Sequence, residues 1–239
     1  MLREAIEKIL TLAKPESIDI EGRTFYDPNY RELSAEQNVE SFTVNTLTGL
    51  VDYVKSEFDT DRKMMIHIES PTRIQLFDAL NATNDRRTYL IGAALLPDII
   101  YGKWIDRESF QICLQANFCP NAEKEELLKV ISNMTVGEGA TVKDNGVTQE
   151  VTVKQGVELA LVDLKERYGL MPYRTFVEVD QPLSEFIFRV KDDGQKNIYC
   201  SLHEADGGAW ELNAMHSIKT YLENELKEAI EAKRIYIVS

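Results

Sequence analysis

The sequence predicts an α+β protein, largely antiparallel sheet flanked by helices, with a long amphipathic helix near the C-terminus. Three observations carry that prediction. Segments of alternating polarity fill the middle and the last third of the chain, separated by polar turns that include one Asn-Gly pair. Segments of helical period bracket that region on both sides. The longest apolar stretch, Tyr89 to Pro97, falls far short of the roughly 20 residues a membrane-spanning helix needs, so no membrane is expected as a partner.

Leu2 to Ala13 places Leu2, Ile6, Ile9, Leu10 and Ala13 on one helical face, and Lys14-Pro15 ends it. Ile18 to Tyr26 alternates around Glu21-Gly22 and predicts a short hairpin, with Asp27-Pro28-Asn29 as the loop after it. Ser34 is the expected N-cap of a helix reaching Phe58, with Val39, Phe42, Leu47, Leu50, Val54 and Phe58 inward. The β-branched residues from Thr43 to Thr48 weaken that helix locally.

Lys63 to Glu69, Thr72 to Leu80 and Thr88 to Leu95 predict an antiparallel meander, turning at Ser70-Pro71 and over the polar residues Asn81 to Arg87. Asp106 caps an expected helix over Arg107 to Phe118. Pro120-Asn121 breaks it, and Ala122 to Met134 forms the next, with Leu127, Leu128 and Ile131 inward. Val136 to Lys154 reads as a hairpin turning at Lys143-Asp144-Asn145-Gly146.

Tyr173 to Val179, Glu185 to Lys191 and Asn197 to His203 are expected strands, followed by a tight turn at Ala205 to Gly208. Asn213 to Lys233 carries Met215, Ile218, Leu222, Leu226 and Ala229 at helical spacing, and Ile235 to Val238 adds a short final strand. The organisation expected is an N-terminal helical and hairpin segment over 1–60 and a main domain over 61–239, or one domain throughout. No repeat or low-complexity linker interrupts it.

The net charge of −13 in 239 residues repels a phosphate backbone unless cations are gathered in one place. Residues 62–107 are the only locally positive stretch, with seven basic and five acidic groups. Within it Arg73, Arg86, Arg87 and Lys103 interleave with Phe77, Tyr89, Tyr101 and Trp104. That pattern would suit a single strand or a nucleotide, with Arg73, Arg86, Arg87, Tyr89, Lys103 and Trp104 as the binding set. Against it, strand aromatics are usually core and charged turns are usually solvated.

Three cysteines, Cys113, Cys119 and Cys200, make no disulfide framework and fit a reducing compartment. The N-terminus mixes charge with apolar residues and lacks the solid apolar block of a secretory signal. A cytoplasmic setting is therefore expected.

Signals for bond-making chemistry are weak. His203 and Asp206, with His216 on the following helix, are the only grouping that invites a metal. An acidic turn serving a helix N-terminus is the preferred reading, so no metal site is assigned. His67 and Glu69 share a strand face but lack a nucleophile, and no serine stands in a nucleophile-elbow context. Gly137 to Thr141 lacks the Lys-Ser/Thr of a phosphate loop, and no cofactor is expected.

Pro172-Tyr173-Arg174-Thr175-Phe176, continuing through Gln181-Pro182 to Phe186-Ile187-Phe188-Arg189, and Glu204-Ala205-Asp206-Gly207-Gly208-Ala209-Trp210 resemble the YfdQ-like family of tailed phages and prophages. Arg86-Arg87 between strands, Phe110 to Phe118 and Val147 to Val153 extend the likeness over roughly residues 60–225. That family has no known function and supplies no catalytic residues. The resemblance implies a phage gene product acting in the bacterial cytoplasm, with Asp206-Gly207-Gly208 and Trp210 in structural roles.

Three functions follow from this reading. The preferred one is a non-enzymatic accessory protein that binds, to itself as a homo-oligomer and to phage or host protein. The second is a binder of single-stranded nucleic acid or a nucleotide through residues 62–107. The third is an enzyme whose site is assembled from distant residues.

Overall fold

The computed structural model describes residues 17–20, 23–26, 31–32, 40–81, 84–134, 142–144, 149–155, 158–193, 195 and 197–239. The chain divides into two units, Met1–Glu40 and Ser41–Ser239. In the first, β1 (Ser17–Ile20), β2 (Arg23–Tyr26) and β3 (Arg31–Glu32) form an antiparallel sheet, with Ile20 opposite Arg23 and Tyr26 opposite Arg31. The expected hairpin strands are present, and a third strand joins them. The helix expected over Leu2 to Ala13 and the glycine-rich residues 137–141 lie outside the described residues.

The second unit starts at Ser41, so residues 41–60, grouped by the sequence with the N-terminal segment, belong to the larger body. The helix expected from Ser34 to Phe58 is corrected there. Phe42–Val44 is a strand, β4, and the helix is confined to Leu47–Ser56, α1. The β-branched residues decide this: Thr43 and Val44 pair in parallel with Ile91 and Gly92. Thr46 then caps the helix, its hydroxyl accepting from the Gly49 N–H at 3.0 Å. Leu47, Leu50 and Val54 are buried as expected, but Phe58 is 85% exposed beyond the helix end.

The expected meander is present as β5 (Met64–Ser70), β6 (Arg73–Asp78) and β7 (Thr88–Ala93), paired antiparallel. A final strand, β15 (Ile235–Val238), lies parallel to β5, giving the order β15-β5-β6-β7-β4. On this sheet's inner face, Ile66, Ile68, Ile74, Leu76 and Leu90 pack against α1 and against α4 (Ala209–Glu225), through Leu47, Leu50, Val54, Ile218 and Leu222. Gly92 sits opposite Ile74 on that face. A Cβ there would meet the Ile74 Cγ1 at 2.4 Å, so the close approach requires glycine.

A second sheet runs β12 (Tyr168–Leu170), β13 (Ser184–Asp192), β14 (Ile198–Glu204), β8 (Ile105–Asp106), all antiparallel. Its core face, with Phe186, Phe188, Val190, Cys200 and Leu202, packs against α2 (Arg107–Asn117) and α3 (Ala122–Asn133). Both helices are capped where the sequence places their starts. Asp106 accepts from the Ser109 N–H at 2.9 Å, and Asn121 from the Lys124 N–H at 2.7 Å. A third sheet, β9 (Val142–Asp144), β10 (Gln149–Gln155) and β11 (Glu158–Asp163), contains the expected hairpin plus a strand the sequence did not reveal.

Two further expectations are corrected. Tyr173 to Val179 is not a strand. The buried Gln181 side chain replaces a strand neighbour: its carbonyl accepts from the Arg174 and Thr175 N–H groups at 2.9 and 3.2 Å, and its amide donates to the Phe176 carbonyl at 3.1 Å. The C-terminal helix begins at Ala209, four residues early, and breaks at Leu226 before a short α5 (Lys227–Glu231). The segment 171–183 ties the two sheets together, since Phe176 enters the first core and Thr175 donates to the Pro71 carbonyl at 2.6 Å. The class is α+β, as the sequence predicts.

Candidate functional site

The alternation that sends Ile66 and Ile68 inward sends Met65, His67 and Glu69 outward on β5. Gln75 and Phe77 on β6, Ile91 on β7, and Tyr236 and Val238 on β15 share that outer face by register. Tyr236, Met65 and Phe77 form one row, and Val238, His67, Gln75, Ile91 and Thr43 the next. The His67 and Phe77 rings stack with centroids 6.3 Å apart. Both helices of this layer lie on the other side. Among the described residues, Met65, Phe77, Ile91, Tyr236 and Val238 belong to neither buried core. The result is an apolar sheet face with no covering layer among the described residues.

Charge is distributed unevenly along this face. At the Met65 end, Arg86 reaches across β6 to place its Nη1 3.9 Å from the Met65 sulfur, and exposed Lys63 stands just ahead of β5. At the other end, one oxygen of Glu69 accepts from both Gln75 and Arg73, the latter at 2.9 Å. Those bonds, Gln75 first and then Arg73, hold the Glu69 carboxyl below its ordinary range. His67 and Glu69 do share a face, as the spacing predicts, and each is engaged with a neighbour.

The six residues of the expected nucleic-acid set separate. Arg73 and Arg86 lie at opposite ends of the open face, roughly 13–17 Å apart at about 3.3 Å per strand residue. A β-bulge, with Phe77 opposite Thr88 and Leu76 opposite Leu90, turns Tyr89 into the core beside Leu90. The Tyr89 hydroxyl donates to Asp78 at 3.0 Å, and the Arg87 guanidinium lies 5.0 Å from its ring centre. Lys103 and Trp104 belong to the second sheet, where the Lys191 ammonium sits 4.6 Å from the Trp104 ring and 5.6 Å from Tyr199. The basic residues adjacent in sequence are therefore dispersed over three places.

The weak metal candidates do not converge either. His203 Nε2 is 3.0 Å from the Ser201 hydroxyl, Asp206 accepts from the Gly208 N–H at 3.1 Å, and His216 is exposed on α4. No group of three or more His, Cys, Asp or Glu suited to a metal occurs among the described residues. All three cysteines are free thiols, and burial pushes Cys200 up to about 12.

One constellation escaped the site reading although its residues carry the family resemblance. Arg174, 7% exposed, lies flat beneath Trp210 with 3.9 Å from guanidinium carbon to ring centre. It donates to Glu204 at 2.8 Å and to the Ser184 hydroxyl, and stands 3.9 Å from Asp206. Burial draws its pKa down and the neighbouring Tyr101 phenol's up. Fastening Pro172–Phe176 to the Glu204–Trp210 turn, this arrangement is an internal clamp.

A groove of about 680 Å³ lies where α1 ends beside the α4–α5 junction, and its charges pair internally: Lys55 with Glu225 at 3.0 Å, and Arg234 with Glu57. No helix among the described residues is long and apolar enough to cross a membrane. Comparison with protein-family models, curated proteins and solved structures finds no match to this chain.

Proposed function

We propose that this protein acts by non-covalent binding, without catalysis, and that its first partner is a second copy of itself. The observation that carries this reading is the apolar outer face of the five-stranded sheet. A lone antiparallel sheet face in water is ordinarily polar. Here Met65, Phe77, Ile91, Tyr236 and Val238 stand outside both cores, the kind of patch that marks an interaction surface.

Five strands about 4.8 Å apart and roughly 20 Å long give a flat footprint of about 400–500 Å². Two apposed faces then remove about 800–1,000 Å² from water, at the low end for a specific interface. The self-association proposed is therefore reversible and concentration-dependent. The wider setting, an accessory phage protein of the host cytoplasm with phage or host protein as further partner, rests on the sequence resemblance alone.

Light scattering on the eluting protein tests the reading. The wild type is expected above the 27.3 kDa monomer mass at micromolar concentration, and Phe77→Lys at the monomer mass with unchanged thermal unfolding. Phe77 lies outside both cores, so a folded monomeric variant is the result that separates assembly from stability. A wild type that elutes as monomer at every concentration overturns the proposal. Retention of single-stranded oligonucleotides that weakens steeply with salt would instead favour the nucleic-acid reading.

A further inference from the structure

We infer that the two copies stack their open faces with β5 running antiparallel to the partner copy's β5, so that Arg86 and Lys63 of each copy meet Glu69 of the other. This inference rests on the self-association reading and adds the direction of the stack.

An isologous contact between two like faces has its two-fold axis in the plane of the interface. Two axis directions are open to a sheet. If the axis runs along the strands, each end of the face meets its own counterpart. Arg86 and Lys63 then confront Arg86 and Lys63, and like charges are brought together at one rim. If the axis runs across the strands, β5 reverses over its counterpart and the two ends exchange. The cationic Met65 end then lies over the Glu69 end, twice by symmetry.

Three local facts favour the second arrangement. Arg86 is exposed and its printed contact is a neutral thioether, Met65 Sδ at 3.9 Å, so its charge is unspent within the chain. Glu69 uses one oxygen, Oε2, for both Arg73 and Gln75 and keeps Oε1 for another donor. The row Val238, His67, Gln75, Ile91, Thr43 lies between the two ends and falls on the axis. Packed sheets of this kind keep their strands within about 30° of each other and about 10 Å apart, a gap these side chains fill.

Charge reversal with rescue tests the direction. Sedimentation equilibrium is run on the wild type, Arg86→Glu, Glu69→Lys and the double variant, with thermal unfolding as the folding control. Each contact occurs twice, so each single reversal is expected to weaken the dimer by roughly 5–30-fold, and the double variant to recover most of the loss. A wild-type dimer indifferent to both reversals, or singles that weaken it without rescue in the double, overturns the stacking direction while leaving self-association standing. A monomeric wild type overturns both.

Discussion

At the residue scale, Arg174 is where the largest single effect is expected. Its guanidinium is buried and stacked on Trp210, with Glu204 and Asp206 as counter-charges. Arg174→Leu leaves Asp206 without its cation in a site that is mostly closed, whereas Glu204, about two-fifths exposed, recovers part of its hydration. The expected loss is about 2–4 kcal/mol, read as a fall in the unfolding midpoint by denaturant titration. Arg174→Lys recovers only a fraction, because an ammonium cannot lie flat on the indole or reach two partners in a fork. Cys200 gives a second check. Its thiol, pushed up to about 12 by burial, resists alkylation in the folded protein, and Cys119 reacts first; mass spectrometry of iodoacetamide-treated protein reads the order. Neither residue's part was legible beforehand. Arg174 and Trp210 are 36 positions apart, and only the fold brings the two motif segments together.

At the scale of elements, local chemistry made much of the structure readable. Asp106 and Asn121 cap helices where a short polar side chain precedes a helical period, and the meander turns at Ser70-Pro71 and Asn81 to Arg87 as its composition dictates. The failures share one cause, tertiary partners replacing local signals. Gln181 takes the backbone bonds of Tyr173 to Val179, and β7 claims Phe42–Val44 from the expected helix. At β11, Glu158-Leu159-Ala160-Leu161-Val162-Asp163 has an apolar run without alternation, so periodicity could not separate strand from helix. A pH test belongs here. The Ser109 N–H bond, followed by its hydroxyl, holds the Asp106 carboxyl below its usual range. A depressed carboxyl stabilises the folded state above the unfolded-state value of about 3.9, and that contribution is lost as pH falls through the lower folded value. Asp106→Asn keeps a capping oxygen, and is expected to flatten the acid limb of a pH-dependent unfolding series relative to wild type.

At the scale of the whole molecule, charge and topology decide between readings that the linear sequence leaves side by side. The positive margin over 62–107 is real as a count, but β-strand geometry, the bulge at Tyr89 and the assignment of Trp104 to a second sheet scatter its members. What the topology gathers is apolar: two helices on one side of a five-stranded sheet and Met65, Phe77, Ile91, Tyr236 and Val238 on the other. The alternation that produces this face was legible strand by strand. Its openness was not, because that depends on where α1 and α4 dock, and both choose the same side. Sedimentation equilibrium of the wild type over a wide concentration range tests this most directly. The expected result is a monomer–dimer equilibrium in the micromolar range that Phe77→Lys abolishes without loss of folding. A single species of 27.3 kDa at all concentrations, identical in wild type and variant, contradicts it.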